Sequence, residues 1–170
     1  NINGSVSVDN FANIAAAAGW GINAYNYGNG SVTLTDEAGT IVSGALNGIA
    51  ASSIANGATS SNVTVNVGSN ARITAGSLYG LAGINATNAN GGSISVTTTA
   101  GDIIQSGGTG INANNSSATS ASTSALSTSS ISVTSAGTIN SGYDFFTAGG
   151  LPSGISAGYS SGSNVANIHG

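Results

Sequence analysis

The chain has 170 residues, enough for one domain or one stretch of a longer repeat array; 27 are Gly, and Ser, Thr, Asn and Ala crowd the rest. Only six are charged (Asp9, Asp36, Glu37, Arg72, Asp102 and Asp144), giving a net charge of −4, and there is no Lys, Cys or Met. That balance cannot neutralise a row of phosphates and supplies no disulfide or thiolate metal site, and no run approaches the roughly 18 apolar residues of a membrane helix, so nucleic acid, cysteine chemistry and a transmembrane segment are excluded.

Taken in chain order, the first element is an alternating strand, Val6-Ser7-Val8, followed by a lone Ile14 and then the tetrapeptide Gly21-Ile22-Asn23-Ala24. The three marks return as Val32-Thr33-Leu34, Ile41 and Gly48-Ile49-Ala50-Ala51. They return again as Val63-Thr64-Val65, Ile73 and Gly83-Ile84-Asn85-Ala86. A fourth set is Ile94-Ser95-Val96, Ile103 and Gly110-Ile111-Asn112-Ala113, and a fifth is Ile131-Ser132-Val133, Ile139 and Gly154-Ile155-Ser156-Ala157. A sixth strand is expected from Val165, although Asn167 then falls where the alternation wants an apolar residue. The first strand positions lie 26, 31, 31 and 37 residues apart, so strands hold register while the loops between them vary. Both ends are expected to lie inside a repeat. The chain opens at Asn1 with neither Met nor a signal segment, which reads as a mature product or an excised piece.

Alternate residues of a strand face opposite sides. Within Val32-Thr33-Leu34-Thr35, Val32 and Leu34 point one way and the threonines the other. One such strand buries half its surface and is unstable alone. Stacked at about 4.8 Å, the copies would pile their aliphatic side chains into one interior, each fully buried Val, Leu or Ile contributing roughly 1.5–3 kcal/mol. The expected core ladder is Val6, Val32, Val63, Ile94 and Ile131 on one face, with Ile22, Ile49, Ile84, Ile111 and Ile155 on another. Glycines before each tetrapeptide Ile and around the third mark, as in Gly39-Thr40-Ile41 and Gly137-Thr138-Ile139, suit corners that need positive φ or close backbone approach. Asn23, Asn85 and Asn112 recur after the Ile, either as a hydrogen-bonded amide ladder or as solvated turn residues. Helix has little support in runs of Gly, Ser, Thr and Asn. The fold class is therefore all-β: a right-handed parallel β-helix (β-solenoid) of about five coils with variable loops, a single segment over 1–170.

Together, Gly-Ile-x-Ala, a Ser/Asn/Gly loop, Gly-x-Ile and strands such as Gly4-Ser5-Val6-Ser7-Val8 resemble the passenger β-helix of bacterial type V secreted autotransporters. They are also similar to filamentous-haemagglutinin-like adhesins. The resemblance spans Val6 to about Ala157. It implies export to the cell surface, folding from one end and an elongated shape, and it implies no catalytic residue. The function expected is structural or adhesive, extracellular or on the bacterial surface. Partners would be further copies paired end to end into fibres, or host and matrix surfaces of protein or glycan met by loops.

Two loops break the repeat. Residues 114–130 number seventeen, eleven of them Ser or Thr, and read as a solvated excursion or a glycosylation platform. The other break holds Tyr143, Asp144, Phe145 and Phe146 together with the only proline, Pro152. These aromatics are a candidate interaction loop for a sugar or a partner protein, or a plug over a coil junction. Trp20, Tyr25 and Tyr27 offer the same choice. No catalytic, cofactor or metal site is expected, because the acids fall at different offsets in their copies and His169 reads as a terminal solvated residue. Two alternatives stand beside the structural reading. One is an ice-binding solenoid, whose outward pairs Ser7/Asp9, Thr33/Thr35, Thr64/Asn66, Ser95/Thr97 and Ser132/Thr134 would form an interrupted threonine array. The other is a polysaccharide-processing β-helix enzyme.

Overall fold

The computed structural model describes residues 4–54, 61–76, 81–89, 92–116, 129–142, 152–159 and 166–169. Among them are sixteen short strands and no helix, so none is long and apolar enough to cross a membrane. The strands fall into three sheets. The first stacks β1 (Val6–Asn10), β4 (Val32–Asp36), β7 (Val63–Val67), β10 (Ile94–Thr98), β13 (Ile131–Ser135) and β16 (Ala166–His169). The second holds β2 (Ile14–Ala16), β5 (Ile41–Gly44), β8 (Arg72–Thr74), β11 (Ile103–Ser106) and β14 (Thr138–Ser141). The third holds β3 (Ile22–Asn26), β6 (Ile49–Ser53), β9 (Ala82–Asn88), β12 (Thr109–Asn115) and β15 (Ile155–Tyr159). Every pairing is parallel, and the chain visits the three sheets in turn. The molecule is an all-β parallel solenoid.

Register is set residue by residue. Val6, Val32, Val63, Ile94 and Ile131 lie on one line across the first sheet. A second line there joins Val8, Leu34, Val65, Val96 and Val133. In the third sheet Ile22, Ile49, Ile84, Ile111 and Ile155 form one column, and Ala24, Ala51, Ala86, Ala113 and Ala157 form the next inward one. These side chains make one continuous hydrophobic core.

The second sheet departs from the sequence pattern by one residue. Its buried column runs Ile14, Val42, Ile73, Ile104 and Ile139, not through Ile41 and Ile103. Those two pair instead with Arg72, in an outward column where Ile41 is 47% exposed. Ile41-Val42 and Ile103-Ile104 are apolar doublets, so alternation alone permits either register. Arg72 removes the ambiguity, because its charge cannot be buried unpaired and its neighbour Ile73 must turn inward. The sixth first-sheet strand is shifted likewise. Ala166 and Ile168 stand in register with Ile131 and Val133, so Asn167 falls opposite the outward Ser132.

Glycine serves two purposes. At the head of the tetrapeptide it permits close approach with an ordinary φ. A Cβ on Gly48 would lie 2.5 Å from Ile73 Cγ2 and 2.9 Å from the Gly83 carbonyl oxygen, and the same kinds of neighbour meet Gly21, Gly83 and Gly110. Positive φ recurs at the corner before the second sheet, at Gly39 (75°), Asn70 (63°) and Gly101 (86°), and is found once after that sheet, at Gly142 (72°). Another corner is closed by asparagines at the ends of third-sheet strands. Asn26 Nδ2 donates to the Gly4 and Gly30 carbonyls (2.7 and 2.9 Å), Asn88 Nδ2 to Ser61 O (2.6 Å) and Asn115 Nδ2 to Gly92 O (2.7 Å). Each ties the end of a third-sheet strand to the entry of a first-sheet strand, satisfying carbonyls that the bend leaves unpaired. The outward Asn23, Asn85 and Asn112 make a shorter ladder. Asn112 Nδ2 donates to Asn85 Oδ1 at 2.8 Å, but Ala50 stands between Asn23 and Asn85.

The register yields a direct comparison. Ile104, 1% exposed, belongs to the column, whereas Ile41 faces solvent. Ile104→Ala is expected to lower the unfolding free energy by about 2–5 kcal/mol, and Ile41→Ala by no more than about 1 kcal/mol. Urea denaturation followed by circular dichroism separates the two; equal losses would contradict the register.

Candidate functional site

Asp36 and Asp102, the most deeply buried acids among the described residues, anchor turns. Asp36 is fully buried where β4 ends: Asn10 Nδ2 donates to its Oδ1 at 2.6 Å and Thr40 Oγ1 to its Oδ2 at 2.8 Å. Asp102 holds the turn before β11, accepting from the Ala71 amide at 3.0 Å and the Thr99 amide at 2.6 Å. Burial pushes the Asp36 carboxyl above the ordinary carboxylate range; its two hydrogen bonds oppose that shift, and the charge of Asp102 adds a little to it. Glu37 is also pushed up, by partial desolvation first and then by Asp9, which shares a hydrogen bond with it. The sequence offsets did not reveal this Asp9–Glu37 neighbourhood, because it spans two coils. Among the described residues no three His, Cys, Asp or Glu side chains cluster as metal ligands. Tyr143, Asp144, Phe145 and Phe146 lie outside the described residues.

Two outward faces have a character of their own. On the first sheet, Ser7, Thr33, Thr64, Ser95 and Ser132 form one hydroxyl column, and Asp9, Thr35, Asn66, Thr97 and Thr134 form a second that Asp9 and Asn66 interrupt. On the third sheet a groove of about 510 Å³ opens between Trp20, Tyr25 and Tyr27 on one side and Asn85 on the other. Its origin lies in side-chain size. Outward positions of β6 carry Ala50 and Ser52, set between Asn23 and Tyr25 of β3 and Asn85 and Thr87 of β9. Two strand spacings separate the flanking rows, about 10 Å, so small residues on the middle strand leave a trough with tall walls.

The walls are ordered. Tyr25 and Tyr27 pack edge to face, centroids 5.3 Å apart at 79°, although Trp20, Tyr25 and Tyr27 are 45%, 48% and 70% exposed. Asn47 Oδ1 accepts from the Ala82 amide at 2.8 Å, and Asn85 Oδ1 accepts from Asn112. These hydrogen bonds orient both amides, and both residues line the groove. Among the described residues no charged one lines it. Of the two aromatic groups legible in the sequence, Trp20, Tyr25 and Tyr27 are brought together here. What sequence reading missed is the floor: Ala50 and Ser52 signal nothing until register sets them beside the tyrosines.

The buried carboxyl makes stability depend on pH in a known sense. Asp36 holds its proton more tightly folded than unfolded. Its contribution is therefore complete below the unfolded carboxylate's pKa and is lost as pH rises through the folded one. In Asp36→Asn the amide can donate to Thr40 Oγ1, which already donates to Glu37 O at 2.9 Å. This variant is expected to gain melting temperature relative to the parent between about pH 3 and pH 7. Thermal melts at stepped pH give the comparison; parallel profiles would remove Asp36 as the cause.

No family model matches the chain, and no curated protein and no solved structure is found to be similar to it.

Proposed function

We propose that this chain is a structural and adhesive segment of a bacterial surface or extracellular protein, a right-handed solenoid rod. On this reading each coil takes one strand from each sheet, about five coils in all, and the hand is right because parallel crossovers almost always are. At about 4.8 Å per coil the segment is about 24 Å long.

One observation carries the reading. The aliphatic columns run through every sheet, and several of their terminal members are only partly buried: Val6, Val8 and Ile14 at one end, Ile139, Ile155 and Ala157 at the other, while Ile22 and Ala24, which begin the third-sheet columns, are buried. Inner members such as Val32, Ile49, Ile84 and Ile111 are closed to solvent. The partly exposed aliphatics and the strand edges at each end are what one more coil would cover. That coil comes from more of the same chain or from a second copy stacked head to tail, a contact that builds a fibre because it does not close. The likeness of the repeat to autotransporter passengers supports export, and a chain without cysteine suits passage across membranes unfolded. Partners are other copies and host or matrix surfaces. Asp36 and Asp102 serve turns rather than a reaction.

Electron microscopy over a concentration series tests this. Filaments of one uniform width, lengthening with concentration, are expected. Short rods of constant length would retain the solenoid segment and discard self-assembly, and globular particles would discard both.

A further inference from the structure

We propose that the groove over β6 binds a neutral saccharide, stacked on Trp20 and Tyr25 and hydrogen-bonded by the amides of Asn23, Asn47 and Asn85. The site rests on the adhesive half of the function proposed above and names the class of its partner. A pyranose ring presents a face of C–H groups and a rim of hydroxyls. The groove presents the complement: exposed rings and the Asn23 amide along one wall, the Asn85 amide on the opposite wall, and a floor of Ala50 and Ser52 with Asn47 and Ile54 at the two ends of β6. At about 510 Å³ it lies within the range of small-ligand sites, roughly 300–1,000 Å³.

Three features select this ligand class. Among the described residues no acid or base lines the groove, so a charged ligand would be desolvated without a partner there, and the occupant is neutral. A purely apolar ligand would leave the amides of Asn23, Asn47 and Asn85 covered and unsatisfied. An extended peptide has no backbone to pair with, because β6 is flanked by β3 and β9 and the groove lies on the sheet's face, not its edge. The site is also prepared in advance. Three of the chain's nine aromatic residues gather within positions 20–27, and edge-to-face packing against Tyr27 restrains the Tyr25 ring. The hydrogen bonds from Ala82 and Asn112 orient two of the amides. Such order reduces the entropy lost on binding.

Trp20 is the only tryptophan, so its fluorescence reports directly on the groove. The full chain would be titrated with cellobiose, maltotriose, lactose, mannotriose and chitotriose, and applied to an array of neutral and acidic glycans. A saturable change with at least one neutral sugar is expected. Tyr25→Ala should weaken it about tenfold, and Tyr25→Phe, which keeps the ring, should hold within about threefold. Circular dichroism of each variant confirms that the fold persists. No response to any neutral sugar, binding confined to acidic glycans, or undiminished affinity in Tyr25→Ala would overturn the proposal. So would a dimer in analytical ultracentrifugation that Tyr25→Ala dissolves, since the groove would then belong to a second copy. Rods are imaged in the same samples: lost binding with intact rods removes the saccharide site alone, and absent rods remove the structural reading whatever the sugars do.

Discussion

Parallel stacking in register makes the neighbour of every side chain the residue at the same position one coil away, about 4.8 Å distant. A residue type must therefore tolerate a copy of itself, or something close to it, above and below. Aliphatics satisfy this by burying each other, as Ile22, Ile49, Ile84, Ile111 and Ile155 do. Hydroxyls and amides satisfy it by hydrogen bonding, as Asn112 does with Asn85 and Thr87 with Ser52 at 2.8 Å. Like charges directly opposite one another destabilise a sheet. In the strand columns each charge has a line to itself: Asp9 heads one of Thr and Asn, Asp36 lies between Asn10 and Val67, and Arg72 lies between Ile41 and Ile103. The scarcity of charge in the composition is a consequence of the stacking.

The same constraint governs the corners. A coil that bends three times leaves carbonyls and amides without ladder partners, and buried ones must be satisfied. Asn26, Asn88 and Asn115 reach across one corner to carbonyls, while Asp36 and Asp102 gather donors at another. Gly21, Gly48, Gly83 and Gly110 solve a packing problem at a third, where the aliphatic column of the second sheet presses against the backbone. Polar side chains here do inside the solenoid what turn hydrogen bonds do elsewhere, and Asp36 shows the electrostatic cost of using a carboxylate for it.

Individuality arises where self-stacking fails. On the first sheet the outward columns repeat similar residues and make a largely hydroxylated wall. In the third sheet, Tyr25 meets Ser52 and then Thr87, and Asn23 meets Ala50 and then Asn85. Each substitution of small for large removes a neighbour from the tall side chain beside it. A groove follows from two such breaks in adjacent columns, and the rings bordering it keep exposed faces that an unbroken column would have covered.

From the sequence alone, the alternation of Val32-Thr33-Leu34 and its counterparts, with the fivefold return of Gly-Ile-x-Ala, determined that the chain is all-β and coils in parallel. Burial allows one face only to an alternating strand, and a recurring position demands a recurring place. Where a strand carries two adjacent aliphatics, as at Ile41-Val42 and Ile103-Ile104, the pattern is degenerate, and Arg72 on the neighbouring strand chose between the registers. The roles of Asn26, Asn88 and Asn115 were likewise invisible among so many asparagines, because a cap is defined by the carbonyl it reaches and that carbonyl is distant in sequence. Neighbours such as Asp9 with Glu37, or Tyr25 with Ser52, exist only across coils whose loops differ in length. Local alternation settled the kind of fold; lateral register between strands, a property of the assembled solenoid, decided what stands beside what.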